Sequence, residues 1–262
     1  MLITDRFVML NFPKTGSSFA RSVLKELHKP KGLRKLATRI TGGTNGLEER
    51  LMVPYRFRPA RFNYPSQHGV YVQIPEKHRG KVIMSITRDP LERIVSAYEF
   101  RHWAKFQEKH LDSLRKEFPR FPDLTFEEYL DMLYRIDGPA SLPADITHDI
   151  GPFTTQFIRF FATDPVRTIH DLRDGMDLAA ERDKHFAPVR FLHQENLGHE
   201  LTEFLMEMGY APERLRFILD KPKVNTTQRT RSDYLTPKVV EHVLRAERFL
   251  YQLFPEYLPG RN

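Results

Sequence analysis

The chain has 262 residues and no cysteine, and 41 Lys and Arg against 34 Asp and Glu give it a formal charge of +7. That length suits one sizeable domain or two small ones, and the missing thiols exclude disulfides, iron–sulfur clusters and cysteine-bound zinc. An apolar share of 40% argues against a disordered chain. No apolar run of about 18 residues and no secretory leader is read, so a cytoplasmic protein without a membrane span is expected.

Residues 6–11 read as a short buried strand, followed by a loop over 13–17. Ser17 is placed to cap a helix over 18–28, with Phe19, Val23, Leu24 and Leu27 on one face. Residues 30–65 hold Gly42, Gly43, Gly46, Pro54, Pro59 and Pro65, and read as a loop-rich insertion. Between Lys29 and Arg61 nine Lys and Arg accompany two acids, so this stretch holds the whole excess of +7. Such a segment attracts anions.

Strands are predicted over 70–74 and 81–87, the second one central. Asp89 as N-cap and Pro90 at the first helical position start a helix to about residue 103, with Leu91, Ile94, Val95 and Tyr98 inward. Residues 104–186 read as mostly helical and proline-broken, and Trp103 and the phenylalanines from Phe153 to Phe161 read as core. A strand over 189–193, a helix over 197–208 ended by Gly209, a polar loop over 221–233 and a helix over 237–254 complete the chain. Strands alternating with helices predict an α/β fold with a central, mostly parallel sheet flanked by helices.

Two motifs carry chemistry. The first, Pro13-Lys14-Thr15-Gly16-Ser17-Ser18, stands between a strand and a helix. Amides at a helix N-terminus and the helix dipole favour an anion there. Gly16 permits close approach, Lys14 adds a full charge, and the hydroxyls add donors. The lysine precedes the glycine by two residues, unlike the order in Mg-dependent NTPases. In the second motif, Arg88 stands at the carboxyl end of a buried strand, where open α/β sheets bind ligands. Ser96 follows eight residues later, and Arg93 lies one turn before it. Arg88 and Ser96 are placed to converge on one phosphate.

Together, in this order, the motifs resemble the phosphosulfate-binding and 3′-phosphate-binding signatures of sulfotransferases, of the bacterial carbohydrate type. The segment Phe191-Leu192-His193-Gln194-Glu195-Asn196-Leu197 is similar to a late segment of that family. The resemblance implies a single domain over 1–262 with a three-layer, P-loop-like fold and insertions at about 30–65 and 104–186. It implies 3′-phosphoadenosine 5′-phosphosulfate as donor, no metal, and transfer to a hydroxyl or amine of a glycan, lipid or small-molecule acceptor. Lys14, Thr15, Gly16, Ser17 and Ser18 would hold the 5′-phosphosulfate, and Arg88 and Ser96 the 3′-phosphate. In the late loop, Arg229 and then Arg231 are the residues expected over the donor.

Transfer to a hydroxyl releases a proton, so a base is expected. His68, between the two motifs, is the first candidate, with Glu48 or Glu49 as alternatives. Arg56, Arg58 and Arg61 are read as capturing an anionic or sugar-like acceptor. Glu195 is read as capping or bracing a helix start. His193 and His199, and His102 and His110, have no metal-ligand spacing. Two other functions are weighed. A nucleotide-dependent kinase or NTPase would need the glycine–lysine order that is missing. A nucleic-acid-binding domain would use the 29–61 stretch, where Tyr55, Phe57, Phe62 and Tyr64 lie among arginines. It leaves the Lys14 and Arg88 motifs unexplained, so no nucleic acid partner is expected.

Overall fold

A computed structural model describes residues 1–30, 45–58, 64–105, 111–146, 149–222 and 233–260. Among them, five strands form one sheet: β1 (Leu2–Thr4), β2 (Phe7–Met9), β3 (Leu47–Glu49), β4 (Val82–Thr87) and β5 (Val189–His193), in the order β3-β1-β2-β4-β5. β2–β4 and β4–β5 run parallel, whereas β1 pairs antiparallel with both β2 and β3. The sheet is therefore mixed, which corrects the expectation of a mostly parallel one. The reason is local. β1 and β2 make a tight hairpin in which the Thr4 hydroxyl donates to the Phe7 carbonyl at 2.9 Å and accepts from the Phe7 amide at 2.9 Å. β1 and β3, of three residues each, lie outside any apolar run long enough to be read from sequence, whereas β2 lies inside the run over 6–11.

A second correction concerns residues 70–74. Tyr71–Gln73 form a 3-10 turn, not a strand. Val70 and Ile74 are buried and stand four residues apart, a helical spacing, and Pro75 follows.

Alternation along β2 sends Phe7 and Met9 to one face and Val8 and Leu10 to the other. Helices pack on both faces. Phe7 and Met9 meet α1 (Ser17–Leu27) through Ala20, Val23 and Leu24, which shows Ala20 rather than Phe19 fully buried. Val8 and Leu10 meet α2 (Pro90–Phe100) through Leu91 and Ile94, and α3 (Pro152–Phe161) through its phenylalanines. Phe12 stands 5.0 Å from Phe160 and 5.0 Å from Phe161, ring centre to ring centre, so the expected aromatic core is found. Asp89 caps α2 as expected, accepting from the Leu91 amide at 2.8 Å; the helix ends at Phe100 because Arg101 turns left-handed. The next long helix on the other face is α4 (Leu197–Glu207). Among the described residues no helix is long and apolar enough to cross a membrane.

The final helix is broken into α5 (Pro237–Ala246) and α6 (Arg248–Leu253) at Glu247. Glu247 is fully buried and caps α3 from outside that helix. Its carboxylate accepts from the Phe153 amide at 3.1 Å, the Thr154 amide at 2.7 Å, the Thr154 hydroxyl at 2.7 Å and the Tyr134 hydroxyl at 3.2 Å. Gly151 has to be glycine here, since a Cβ would collide with that carboxylate. Burial pushes the Glu247 carboxyl above its ordinary range, against the pull of these donors. Removing the acceptor orphans two buried amides, so Glu247→Ala is expected to lower stability by about 2–4 kcal/mol. Urea unfolding measures this, and a midpoint equal to wild type would contradict the capping role.

Candidate functional site

β2 delivers the chain into the first motif. The Leu10 amide still bonds the Met84 carbonyl of β4 at 3.0 Å, so the loop starts from a fixed point on the sheet. Lys14 and Gly16 then adopt positive φ, 65° and 90°, and α1 begins at Ser17. Gly16 answers two demands: the left-handed backbone, and a site where a Cβ would press on Leu197 and Gln194. The first amides of α1 face away from the helix, as any helix start requires.

The hydroxyls behave differently from expectation. Thr15 and Ser17 are buried, and both donate to the Phe12 carbonyl, at 2.9 and 3.1 Å. They brace the loop from below and leave only lone pairs toward its mouth. Ser17 does not cap α1 with its side chain; Gly16 occupies that position. Ser18 is exposed. The Lys14 ammonium lies 3.6 Å from the Phe100 ring centre, a cation–π contact at the end of α2.

Arg88 follows β4 directly and reaches the same loop. Its Nη1 donates to the Lys14 carbonyl at 3.4 Å, its Nη2 lies 3.5 Å from Glu92, and its buried Nε has no hydrogen-bond partner among the described residues. The two motifs are thus neighbours in space. Ser96 is half-buried on α2, and no hydrogen bond joins it to Arg88.

The residue that locks this arrangement is Arg93, which has no role of its own in the sequence reading. It is 2% exposed. Its Nε donates to the Pro13 carbonyl at 3.1 Å and its Nη2 to Gln156 on α3. Its guanidinium carbon lies 4.0 Å from the Phe12 ring centre and 4.6 Å from that of Phe153. Burial draws its pKa down to about 9, still charged at neutral pH.

His68 is tied to the same strand end. Its Nδ1 lies 2.7 Å from the Asn11 carbonyl, two residues before Pro13. A carbonyl can only accept, so Nδ1 holds the proton and Nε2 carries the lone pair, toward which the Gln67 side-chain amide donates at 3.5 Å. The Asn11 side-chain amide grips the adjacent Gln67 carbonyl at 3.1 Å. Burial lowers the His68 pKa, and the hydrogen bond to Asn11 partly opposes it, so the ring is neutral at pH 7. The alternative carboxylates are engaged elsewhere. Glu49 pairs with Lys25 at 2.6 Å and with Arg21, and the Lys25 hydrogen bond holds its carboxyl below the ordinary range. Glu48 pairs with Arg50 at 2.7 Å.

Arg229, Arg231 and Arg61 fall outside the described residues. Arg58 donates to the Leu142 carbonyl at 2.5 Å, and Arg56 is exposed. Glu195 braces as expected, accepting from the Asp89 amide and the Tyr257 hydroxyl, both at 3.4 Å, while Asn196 occupies the cap of α4. A cavity of about 400 Å³ opens at the other end of β2, beside Arg6, His28, Tyr210 and Arg214. Its arginines are spent on helix ends: Arg6 donates to the Met208 carbonyl at 2.5 Å and Arg214 to that of Leu27 at 2.6 Å. The chain matches no protein-family model, no curated protein and no solved structure.

The His68 geometry fixes a titration. In the folded protein, nitrogen NMR should show the Nδ1-protonated tautomer and a midpoint below the ordinary ~6.5. Because the unfolded chain then takes the proton first, stability should fall as pH drops from about 6.5 toward the folded midpoint. An Nε2-protonated ring, or a midpoint above the ordinary one, would contradict the assignment.

Proposed function

We propose that the chain is a sulfotransferase that uses 3′-phosphoadenosine 5′-phosphosulfate, with a three-layer, P-loop-like arrangement around its mixed sheet. The observation that supports this most is the adjacency of the two cationic motifs, with Arg88 donating to the Lys14 carbonyl. One doubly phosphorylated nucleoside then meets both. The amides at the start of α1 and the Lys14 ammonium take the 5′-phosphosulfate. Arg88, whose Nε has no hydrogen-bond partner among the described residues, takes the 3′-phosphate with Ser96 further along α2. Lys14 leaves the Phe100 ring for the phosphate as the nucleotide enters.

In the reaction, an acceptor oxygen forms a bond to sulfur while the bond from sulfur to the 5′-phosphate oxygen breaks. The acceptor proton goes to Nε2 of His68, and the electron pair of the broken bond stays on the phosphate. Lys14 and the loop amides stabilise the charge that gathers there. Arg93 and Asn11 touch neither partner. They position the loop and the base from below. No metal is assigned a role in these steps.

Calorimetry with adenosine 3′,5′-bisphosphate in the presence of a chelator tests the reading. Binding should persist, and Arg88→Ala should weaken it at least about tenfold, the loss of a charge-assisted contact. His68→Ala should bind the nucleotide normally and lose about 10²–10⁴ in sulfuryl transfer. Preferential binding of ADP with Mg²⁺, or normal transfer in His68→Ala, would contradict it.

A further inference from the structure

Glu247 is built for more than a helix cap requires. Four donors converge on its fully buried carboxylate. The Phe153 amide at 3.1 Å and the Tyr134 hydroxyl at 3.2 Å reach Oε1, and the Thr154 amide and hydroxyl, each at 2.7 Å, reach Oε2. Both oxygens accept twice and neither is left to carry a proton, so the group is ionised. A neutral cap at position 151 would satisfy the same end of α3 without burying a charge. The chain instead keeps a glycine there and brings in the acid from the break between α5 and α6, where the Gly151 amide also donates to the Ala246 carbonyl at 3.0 Å.

A helix dipole favours an anion at this end of α3, which accounts for part of the placement. Arg93 accounts for the rest. Its guanidinium is buried, yet its hydrogen bonds go to neutral acceptors, the Pro13 carbonyl at 3.1 Å and Gln156. No carboxylate pairs with it directly among the described residues. A buried cation calls for a counter-charge nearby. Glu247 and Arg93 grip the same turn of α3. Glu247 holds the Phe153 amide, and the Arg93 guanidinium lies 4.6 Å from the centre of the Phe153 ring and bonds Gln156, three residues further on. Burial lowers the Arg93 pKa, and the charge of Glu247 opposes that fall.

We propose that Glu247 is a positioning residue for donor binding: by fixing the first turn of α3 it sets, through Phe153, Gln156 and Arg93, where Pro13 holds the phosphate loop. The proposal rests on the sulfotransferase reading, in which that loop receives the 5′-phosphosulfate. Glu247 touches neither donor nor acceptor. Its effect passes along one continuous series of contacts, from its carboxylate to the start of α3, from Gln156 to the guanidinium, and from there to the residue before Lys14. The break in the last helix thereby governs the loop at the other end of the chain.

Glu247→Gln keeps the shape of the side chain and removes its charge. Its affinity for adenosine 3′,5′-bisphosphate is measured by calorimetry at a temperature where its melting curve shows it fully folded. The Arg93 Nε–Hε signal and the Gly16 amide signal are followed by NMR in the full chain. Affinity should fall about tenfold, and both signals should move. Gln156→Ala should have a similar effect, and the double variant should bind no more weakly than either single one, because one series of contacts carries both. If Glu247→Gln does not fold, Thr154→Val, which removes only one hydrogen bond to the carboxylate, should weaken binding by about threefold. A role confined to capping lowers the melting temperature and leaves the affinity of the folded protein unchanged. That result, or effects of Glu247→Gln and Gln156→Ala that multiply in the double variant, would overturn the proposal. If the wild-type protein fails to bind the bisphosphate while the Gly16 signal moves in Glu247→Gln, the donor reading falls and the positioning of the loop stands. If the wild type binds and neither signal moves, the positioning role falls and the donor reading stands.

Discussion

One buried guanidinium holds the site together. Arg93 sits between two phenylalanine rings and donates to the Pro13 carbonyl and to Gln156. Taking a cation out of water is expensive unless its donors are satisfied. Here a loop carbonyl, a side-chain amide oxygen and two ring faces share the task. Because the charge cannot leave, the groups that satisfy it cannot move freely either. The loop after β2, the start of α2 and the middle of α3 become one unit.

That unit sets what the surface offers. Pro13 is held from below, Thr15 and Ser17 are bonded inward to Phe12, and the Lys14 ammonium rests on the Phe100 ring. The hydroxyls act as braces, which on the proposed reading leaves the charge and the amides to meet the ligand. Arg88 enters from the adjacent parallel strand, and β2 and β4 fix the spacing between the motifs. His68 belongs to the same frame through Asn11. His68 and the loop therefore hang from neighbouring residues of one strand end. A shift in one is transmitted to the other.

Much of this is legible in the sequence. Asp89-Pro90 reads as a helix start because cap and ring geometry are local properties, and β4 and β5 read as strands because each is long enough to show its apolar character. Residues 13–17 read as a loop before a helix for the same local reason. What stays hidden depends on distant partners. Nothing near Glu247 in sequence shows that it caps α3, about ninety residues earlier in the chain. The strands β1 and β3 are too short to carry a period, so the mixed sheet reads as mostly parallel. Arg93 looks like any helix arginine until Phe12 and Phe153 close over it, and the tautomer of His68 is written only in its contact with Asn11.

On the proposed reading, Lys14 and Arg88 grip different phosphates of a single nucleotide. The phosphorus NMR spectrum of bound adenosine 3′,5′-bisphosphate examines this directly, because the 5′- and 3′-phosphates give separate signals. Lys14→Ala should shift the bound 5′ signal and leave the 3′ signal in place, and Arg88→Ala should do the opposite. If both substitutions moved the same signal, or neither moved any, the two motifs would not share one ligand and the sulfotransferase reading would be wrong.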